Sequence, residues 1–387
     1  MDQIFVTLKH WLVGFAPGQC QPLFSAVLSV AAIILAFATL FAVTTLLERK
    51  GLGRIQNRYV PNRVGPCGIL QPLADGVKAL TKEDVIPYTA DKVVHFIAPL
   101  VLVMPVLLAL AVVPVGRNMA ALDTDAGVLF FFAVGAATEL SVFMAGWSSR
   151  NKYSLLGALR AIAQMISYEV PLILSAVTVI MAAGSLSAVR IVEAQSGYWG
   201  VIPNWYVLTP WGLAGFILFM VAATAESNRS PFDLPEGESE LIAGYYTEYS
   251  GFKFALFFLG EYLGLFAVSG LGITLFLGGW HAPLPGLDWV PSWLWFFAKL
   301  LVIIAAFIWV RGTLPRLRMD QLMGLAWKFM LPMALVNIFV AGLWRFLPGG
   351  VGRWSVCSIL VVGAYLLLGR LLAGRKQPGK RVYRYAE

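Results

Sequence analysis

The sequence predicts an all-α protein that crosses a membrane several times. Of its 387 residues, 59% are hydrophobic and only 13% are Asp, Glu, Lys or Arg, whereas a soluble domain has about 45–50% apolar and about 25% charged residues. The net charge of +8 is not gathered in one patch, because the basic residues stand at the ends of apolar runs, as in membrane proteins. These observations exclude a soluble enzyme, a disordered chain and a nucleic-acid-binding protein.

Nine apolar stretches are long enough to cross about 30 Å of hydrocarbon as helices. We place these spans at 23–47, 94–114, 126–147, 160–183, 208–226, 252–278, 293–311, 327–344 and 354–374. They predict one transmembrane domain over residues 1–374, followed by a short basic tail at 375–387. In the long first connection, Ile69, Leu73, Val77 and Leu80 recur at helical spacing. This pattern predicts an amphipathic helix that lies in the membrane interface.

The distribution of Lys and Arg predicts the orientation of the chain. The first, third, fifth and seventh connections and the tail together carry 23 of these residues, and the opposite side carries 5. Since cytoplasmic loops are enriched in Lys and Arg, we expect the N-terminus outside and the C-terminus in the cytoplasm.

Several carboxylates fall inside the predicted spans, where each charge costs about 3 kcal/mol or more. Glu139, Glu169 and Glu261 all lie at a depth of roughly 12–14 Å below the cytoplasmic surface, at 1.5 Å per residue. Glu226 and Glu248 mark the cytoplasmic ends of the fifth and sixth spans, while Lys299, the only Lys or Arg away from the ends of the predicted spans, lies toward the outer side. Buried carboxylates without basic partners share protons, so the column predicts a proton relay. A set of structural ion pairs is the alternative interpretation.

The fifth connection is acidic, although it lies on the predicted cytoplasmic side, where connections should be rich in Lys and Arg. From Glu226 to Glu248 it holds six acids, among them Glu236, Glu238 and Glu240, against Arg229 alone. Because the apolar Phe232 and Leu234 stand among these charges, we expect a packed segment that responds to protonation by moving or by docking on a partner.

Other chemistry has no sequence signature in this chain. There is no phosphate-binding loop, no strand followed by GxGxxG and no Ser/His/Asp set. The three cysteines, at positions 20, 67 and 357, and the three histidines, at 10, 95 and 281, lack the spacing of metal ligands. We therefore expect no metal, nucleotide, haem or iron–sulfur cluster on this chain.

Long motifs mark a family resemblance. They are ERK at 48–50, PNRVGP at 61–66, LQPLAD at 70–75, ISYEV at 166–170, the acidic run 225–240, TEY at 247–249, GEY at 260–262 and LPRLR at 314–318. Over roughly residues 25–345 the sequence resembles the H subunit of NADH–quinone oxidoreductase, respiratory complex I, whose mitochondrial counterpart is subunit 1.

The resemblance implies a subunit of the inner (cytoplasmic) membrane that frames the path of a quinone substrate under the peripheral arm. The quinone tunnel would be lined or supported by Arg49, Arg58, Asp75, Lys78, Glu83, Arg229, Phe232 and Asp233. The acidic path to the proton-pumping subunits would contain Glu139, Glu169, Glu226, Glu236, Glu238, Glu240, Glu248 and Glu261. FMN and iron–sulfur clusters are expected only in partner subunits. The implied partners are the peripheral-arm subunits, the antiporter-like subunits and the small membrane subunits.

Two features depart from the family pattern. Val60 stands where the family usually has Gly, and Val adopts positive φ only at a cost. The span at 354–374 follows the eighth span, after which the family usually ends. Three other functions stay open at this stage: the membrane anchor of a hydrogenase-type complex, a stand-alone proton-coupled transporter and a purely structural anchor.

Overall fold

The computed structural model describes residues 4–15, 17–234, 243–287 and 289–373. It is a bundle of apolar helices, so the predicted fold class is confirmed. The first half of the chain contains α1 (Ile4–Gly14), α2 (Gln21–Ile55), α3 (Gln71–Thr81), α4 (Lys92–Val112), α5 (Gly127–Gly135), α6 (Ala137–Ser148), α7 (Lys152–Ala183) and α8 (Ala188–Glu193).

The second half begins with a two-stranded antiparallel hairpin, β1 (Tyr198–Trp199) and β2 (Ile202–Pro203), in which Tyr198 pairs with Pro203. The helices that follow are α9 (Pro210–Glu226), α10 (Gly251–Phe276), α11 (Ser292–Thr313), α12 (Met319–Leu325), α13 (Leu331–Phe346) and α14 (Val351–Ala373). A π-helical turn at Ala326–Met330 joins α12 to α13, so that Met319–Phe346 forms one membrane-length helix.

Eight helices of the described residues are long and apolar enough to cross a membrane. They correspond to eight of the nine predicted spans, and the predicted span 208–226 is the 17-residue helix α9, which is at the lower limit for crossing a bilayer. The span predicted at 126–147 is interrupted at Ala136, between α5 and α6.

Local sequence explains where several helices begin and end. The carboxylate of Asp91 accepts the backbone N–H groups of Val93 and Val94 at the start of α4, and Asn151 accepts the N–H of Tyr153 at the start of α7. These side chains satisfy donors that have no partner inside a helix. Helix α7 ends at Gly184, whose φ of 68° is the left-handed conformation that glycine adopts readily.

Helix α10 is the centre of the bundle. It is the most buried of the membrane-length helices and it contacts α2, α3, α4, α7, α9 and α11. Helices α2 and α14 lie at the edge, with most of their apolar surface exposed on this chain. The functional side chains described below therefore converge on α10 from the helices around it.

The amphipathic helix predicted in the first connection is confirmed as α3. Its apolar residues Leu73, Val77 and Leu80 are exposed on this chain, and α3 packs against α2 and α10. Its place in the membrane interface stays a prediction. Val60 does not belong to the residues with positive φ, so the loop accepts Val at this position. The predicted tail 375–387 lies outside the described residues.

Candidate functional site

Three of the predicted relay carboxylates form one group. Glu139 on α6, Glu169 on α7 and Glu226 at the end of α9 are close enough to interact electrostatically. Within the described residues, none of the three forms an ion pair with Lys or Arg. The Oε2 atom of Glu226 is buried and has no hydrogen-bond partner there. The proton relay that the sequence predicts for these carboxylates stays a prediction.

A small cavity of about 70 Å³ connects this group to Glu261 on α10. Glu226 and Glu261 both line the cavity, together with Asn228 and Tyr245. A water molecule occupies about 30 Å³ and needs polar partners. The cavity is therefore large and polar enough for water to bridge the two carboxylates.

Glu261 differs from the other three carboxylates in having strong donors. The hydroxyl of Tyr245 donates to Glu261 Oε1 at 3.3 Å, and the hydroxyl of Tyr246 donates to the same oxygen. Glu261 also interacts electrostatically with Arg229. The expectation that these acids lack basic partners is therefore wrong at Glu261, because Arg229 folds back from the fifth connection toward α10.

A second group surrounds Glu48, close to the cytoplasmic end of α2 in the predicted orientation. The buried carboxylate of Glu48 accepts hydrogen bonds from Arg229 at 3.2 Å, from Arg311 and from the hydroxyl of Tyr262. The guanidinium of Arg229 also lies 4.0 Å from the centre of the Tyr262 ring. Arg311 lies inside α11, so Lys299 is not the only cation within the observed helices.

Arg229 keeps its charge although it is buried. Burial alone would lower the pKa of Arg229, but Tyr262, Glu48 and Glu261 raise it above the ordinary value of arginine. This one guanidinium therefore interacts both with the Glu48 group and with Glu261.

Glu248 lies in a separate polar network where α4, α6 and α7 meet the fifth connection. Its Oε1 accepts a hydrogen bond from Asn151 at 2.7 Å, and His95 contacts its backbone oxygen at 3.4 Å. The ring of His95 stacks on Tyr249, whose hydroxyl contacts Ser148 at 3.2 Å. Burial raises the pKa of Tyr249 to about 12, although the hydrogen bond with Ser148 lowers it, so this hydroxyl stays protonated at neutral pH.

The structure brings only some of the predicted tunnel residues together. Arg49 forms an ion pair with Asp75 at 2.5 Å. Arg58 donates instead to Gln56 at 2.7 Å. The exposed side chains of Lys78 and Glu83 make no hydrogen bond or ion pair within the described residues.

Hydrogen bonds from other parts of the chain to its backbone oxygens hold the segment 229–234 in place. Gln164 on α7 donates to the carbonyl oxygens of Ala225 and Phe232, each at 2.7 Å. The N–H of Leu317 donates to the Pro231 oxygen at 3.1 Å, and Arg316 donates to the Leu234 oxygen at 3.3 Å. The predicted tunnel residues Phe232, which is buried, and Asp233 lie on this segment. The predicted acids Glu236, Glu238 and Glu240 fall outside the described residues.

Sequence reasoning missed several of these groups. The sequence analysis places Glu48 and Tyr262 only in family motifs, and it gives no role to Tyr245, Tyr246, Gln164 and His95. The partners of Glu48 on Arg229 and Arg311 are 181 and 263 positions away in the chain, so their contact has no local pattern. The usable signal was a charged residue next to a long apolar run, since such residues need a partner.

A bundle of apolar helices of membrane length places this chain in the class of multi-pass membrane proteins, and its buried carboxylates are candidate functional groups. The comparisons with known proteins then give the family. A profile of the NADH dehydrogenase family matches residues 28–342, and the chain belongs to this family.

Relatives from several bacteria agree with this assignment. The H subunit of NADH-quinone oxidoreductase from Dehalococcoides mccartyi (strain CBDB1) is 51% identical over 294 residues, covering 76% of this chain and 79% of the relative. An H subunit of the same enzyme from Geobacter metallireducens is 46% identical over 322 residues, which are 81% of this chain and 94% of the relative. The one from Polaromonas naphthalenivorans is 41% identical over 362 residues, 91% of this chain and 100% of the relative.

Proposed function

We propose that this chain is the membrane subunit of a proton-pumping NADH–quinone oxidoreductase that borders the quinone path and couples quinone reduction to proton movement. The observation that carries the proposal is the pair of connected groups: the carboxylates Glu139, Glu169, Glu226 and Glu261, and the ionic cluster around Glu48. Membership of the NADH dehydrogenase family and the names of the relatives support the same function.

Proton movement is assigned to the carboxylate group. A buried carboxylate oxygen without a partner is unfavourable, so the Oε2 atom of Glu226 favours binding a proton or a water molecule. The cavity between Glu226 and Glu261 provides the space for such water. Glu139 and Glu169 extend the group on α6 and α7, and each proton that binds changes the affinity of the others through their mutual repulsion.

The quinone side is assigned to α2, α3 and the segment 229–234. Arg49 and Asp75 join the end of α2 to α3, while Glu48 joins α2 to Arg229 and Arg311. Quinone reduction consumes protons and changes charge near these groups. Arg229 interacts with both Glu48 and Glu261, and we assign to it the transfer of that change to the carboxylate group.

Electrons would reach the quinone from iron–sulfur clusters in partner subunits, with FMN also outside this chain. The predicted partners are the peripheral-arm subunits on the cytoplasmic side and the antiporter-like and small subunits in the membrane. The proposed location is the inner membrane of the cell, with the N-terminus outside and the C-terminus in the cytoplasm, in agreement with the distribution of Lys and Arg.

The replacement Glu169→Gln tests the relay. It keeps the size of the side chain and removes the exchangeable proton, so the complex should assemble while coupled NADH–quinone reductase activity and proton pumping fall by about a hundredfold, the low end for a positioned proton-transfer group. The matched control is Glu193→Gln, on an exposed acid of α8. Assembled Glu169→Gln complex with unchanged turnover and pumping would contradict the proposal.

A further inference from the structure

A second cavity lies beside the segment 229–234 and has not been given a role above. It is a groove of about 930 Å³ between α9 and α11. Phe216 and Met220 form its wall on α9, and Ala298, Val302 and Ala306 form its wall on α11. All three residues on α11 are exposed, so the groove opens sideways toward the hydrocarbon of the membrane.

The groove is long and apolar. Trp295 and Leu314 both line it, and at 1.5 Å per residue they lie about 28 Å apart along α11, close to the thickness of the hydrocarbon core. The hydroxyl of Thr224 is used by the Val221 oxygen. The ammonium of Lys299 donates to three backbone oxygens at 2.7–2.8 Å. Both polar groups are therefore engaged within the protein, whereas the buried indole N–H groups of Trp205 and Trp295, which also line the groove, have no partner among the described residues.

The volume of about 930 Å³ fits a flexible apolar ligand. Ligand pockets have volumes of about 300–1,000 Å³. The groove therefore has the size and the shape for flexible apolar chains.

Charge identifies the end that holds a headgroup. The end formed by Leu314, Pro315 and Leu317 carries the exposed Arg316 and Arg318 against Asp320, and basic residues next to a membrane attract anionic lipid headgroups. We propose that the groove binds the acyl chains of an anionic phospholipid from the leaflet on this side, with its phosphate near Arg316 and Arg318.

The bound chains would support the segment 229–234. Pro231 and Phe232 line the groove, and Phe232 packs against Tyr168 with 5.3 Å between the ring centres. Acyl chains in the groove would keep these residues pressed against α7. The lipid would thus help to hold the backbone on which Arg229 stands.

The test compares two neighbouring alanines of α11. Ala306→Trp fills the groove, whereas Ala305→Trp places the same ring on an exposed position that does not line it. Phospholipid retained by the purified complex in detergent is extracted and counted by mass spectrometry. We expect Ala306→Trp to lose anionic phospholipid that the unchanged complex and Ala305→Trp retain. Equal retention in all three complexes would overturn the proposal.

A second measurement uses a variant whose groove is not filled. It therefore tests the site even if the Ala306→Trp complex does not assemble. The photoreactive residue p-benzoylphenylalanine at Val302 should cross-link to phospholipid in the native membrane, and Arg318→Gln should reduce the anionic share of the cross-linked lipid. Cross-links to quinone or to another protein, or cross-linked lipid of unchanged composition in Arg318→Gln, would overturn it. Neither measurement depends on catalytic activity, so the outcome is separate from that of the relay test.

Discussion

Glu48 is a buried residue whose negative charge is compensated by two basic side chains. Glu48 is 6% exposed, and its carboxylate contacts two guanidinium groups and one phenol hydroxyl. Two arginines against one glutamate leave a positive charge in this group. Removing one partner of a buried ion pair is more damaging than the pair is stabilising, because the remaining charges lose their compensation.

The replacement Glu48→Gln should therefore destabilise the protein strongly. It leaves Arg229 and Arg311 facing each other without a carboxylate, and breaking such a buried pair costs about 3–5 kcal/mol. We expect less assembled complex and a lower thermal inactivation temperature, measured on membranes after native electrophoresis. The exposed Glu83 supplies the control Glu83→Gln. Equal assembly and thermal stability of the two variants would show that Glu48 does not hold the cluster.

At the scale of the helices, the apolar runs predicted most of what is observed. The requirement to satisfy every backbone group in lipid leaves the helix as the structure for such runs, and each predicted span is helical, although the span 126–147 is divided between α5 and α6. What the sequence did not reveal is how the helices continue beyond the apolar run. Helix α2 extends to Ile55 and α7 begins at Lys152, because polar residues outside the hydrocarbon can also be helical.

The interruptions of the helices were also missed. The break at Ala136 directly follows Gly135, and the π-helical turn at Ala326–Met330 lies just before Pro332, which has no N–H to donate to the carbonyl oxygen of Lys328. Such turns also depend on packing with distant residues. Thus the hydroxyl of Tyr168 donates to the backbone oxygen of Leu322, which lies 154 positions away and just before the π-helical turn.

Gly157 shows how closely α7 approaches the fifth connection. A methyl group at this position would lie 2.8 Å from the Cα atom of Gly244, so Gly157→Ala has to push away the backbone that carries Tyr245 and Tyr246. Overpacking of this kind costs about 1–3 kcal/mol, more than alanine gains in a helix, about 1 kcal/mol.

We expect Gly157→Ala to lower both thermal stability and quinone reductase activity, since the two tyrosine hydroxyls donate to Glu261. The control Gly342→Ala, in α13, has open space around the added methyl group, so it should leave both quantities unchanged or raise the stability slightly. Activity and stability of Gly157→Ala equal to those of the control would mean that the approach to Gly244 is not needed.

At the scale of the whole molecule, the family match covers the helices that carry the candidate site but not the last helix, α14. The match ends at residue 342, before α14 begins at Val351. Helix α14 packs on α9 and α13 through the buried Cys357, and its Trp354 contacts Trp344 at 5.2 Å. None of the relay carboxylates or the residues around Glu48 lies on it.

A chain that ends after Phe346 should therefore retain its function. We expect the complex to assemble with quinone reductase activity close to that of the full chain. Its thermal stability should be lower, because close packing between membrane helices contributes to their association. Activity and inactivation temperature are measured on the same membranes. Loss of activity in a fully assembled truncated complex would show that α14 acts on the site.

Only part of the candidate site could be predicted from the sequence, because some of its contacts join distant parts of the chain. Glu139, Glu169, Glu226 and Glu261 were found because charge inside an apolar run is visible in the sequence. The cavity that Glu226 and Glu261 share and the electrostatic interaction of Glu261 with Arg229 were not visible, since they depend on how the helices and the fifth connection are arranged. The acids of the fifth connection were predicted from composition alone, and that prediction stays untested.

The orientation of the whole chain can be read from its own cysteines. Cys20 directly precedes α2 and Cys67 follows it, and both are exposed, whereas Cys357 is buried. Since α2 crosses the membrane, a thiol reagent that cannot pass the membrane should reach Cys20 from one side and Cys67 from the other.

The excess of Lys and Arg places Cys67 in the cytoplasm. We therefore expect labelling of Cys20 in intact spheroplasts and of Cys67 in inverted vesicles, after removal of the peripheral arm that would cover it. Cys20→Ser and Cys67→Ser assign each signal. Labelling of Cys67 in intact spheroplasts would show that the orientation is the reverse of the predicted one. The carboxylates would then lie closer to the outer surface, and they could not take up protons from the cytoplasm.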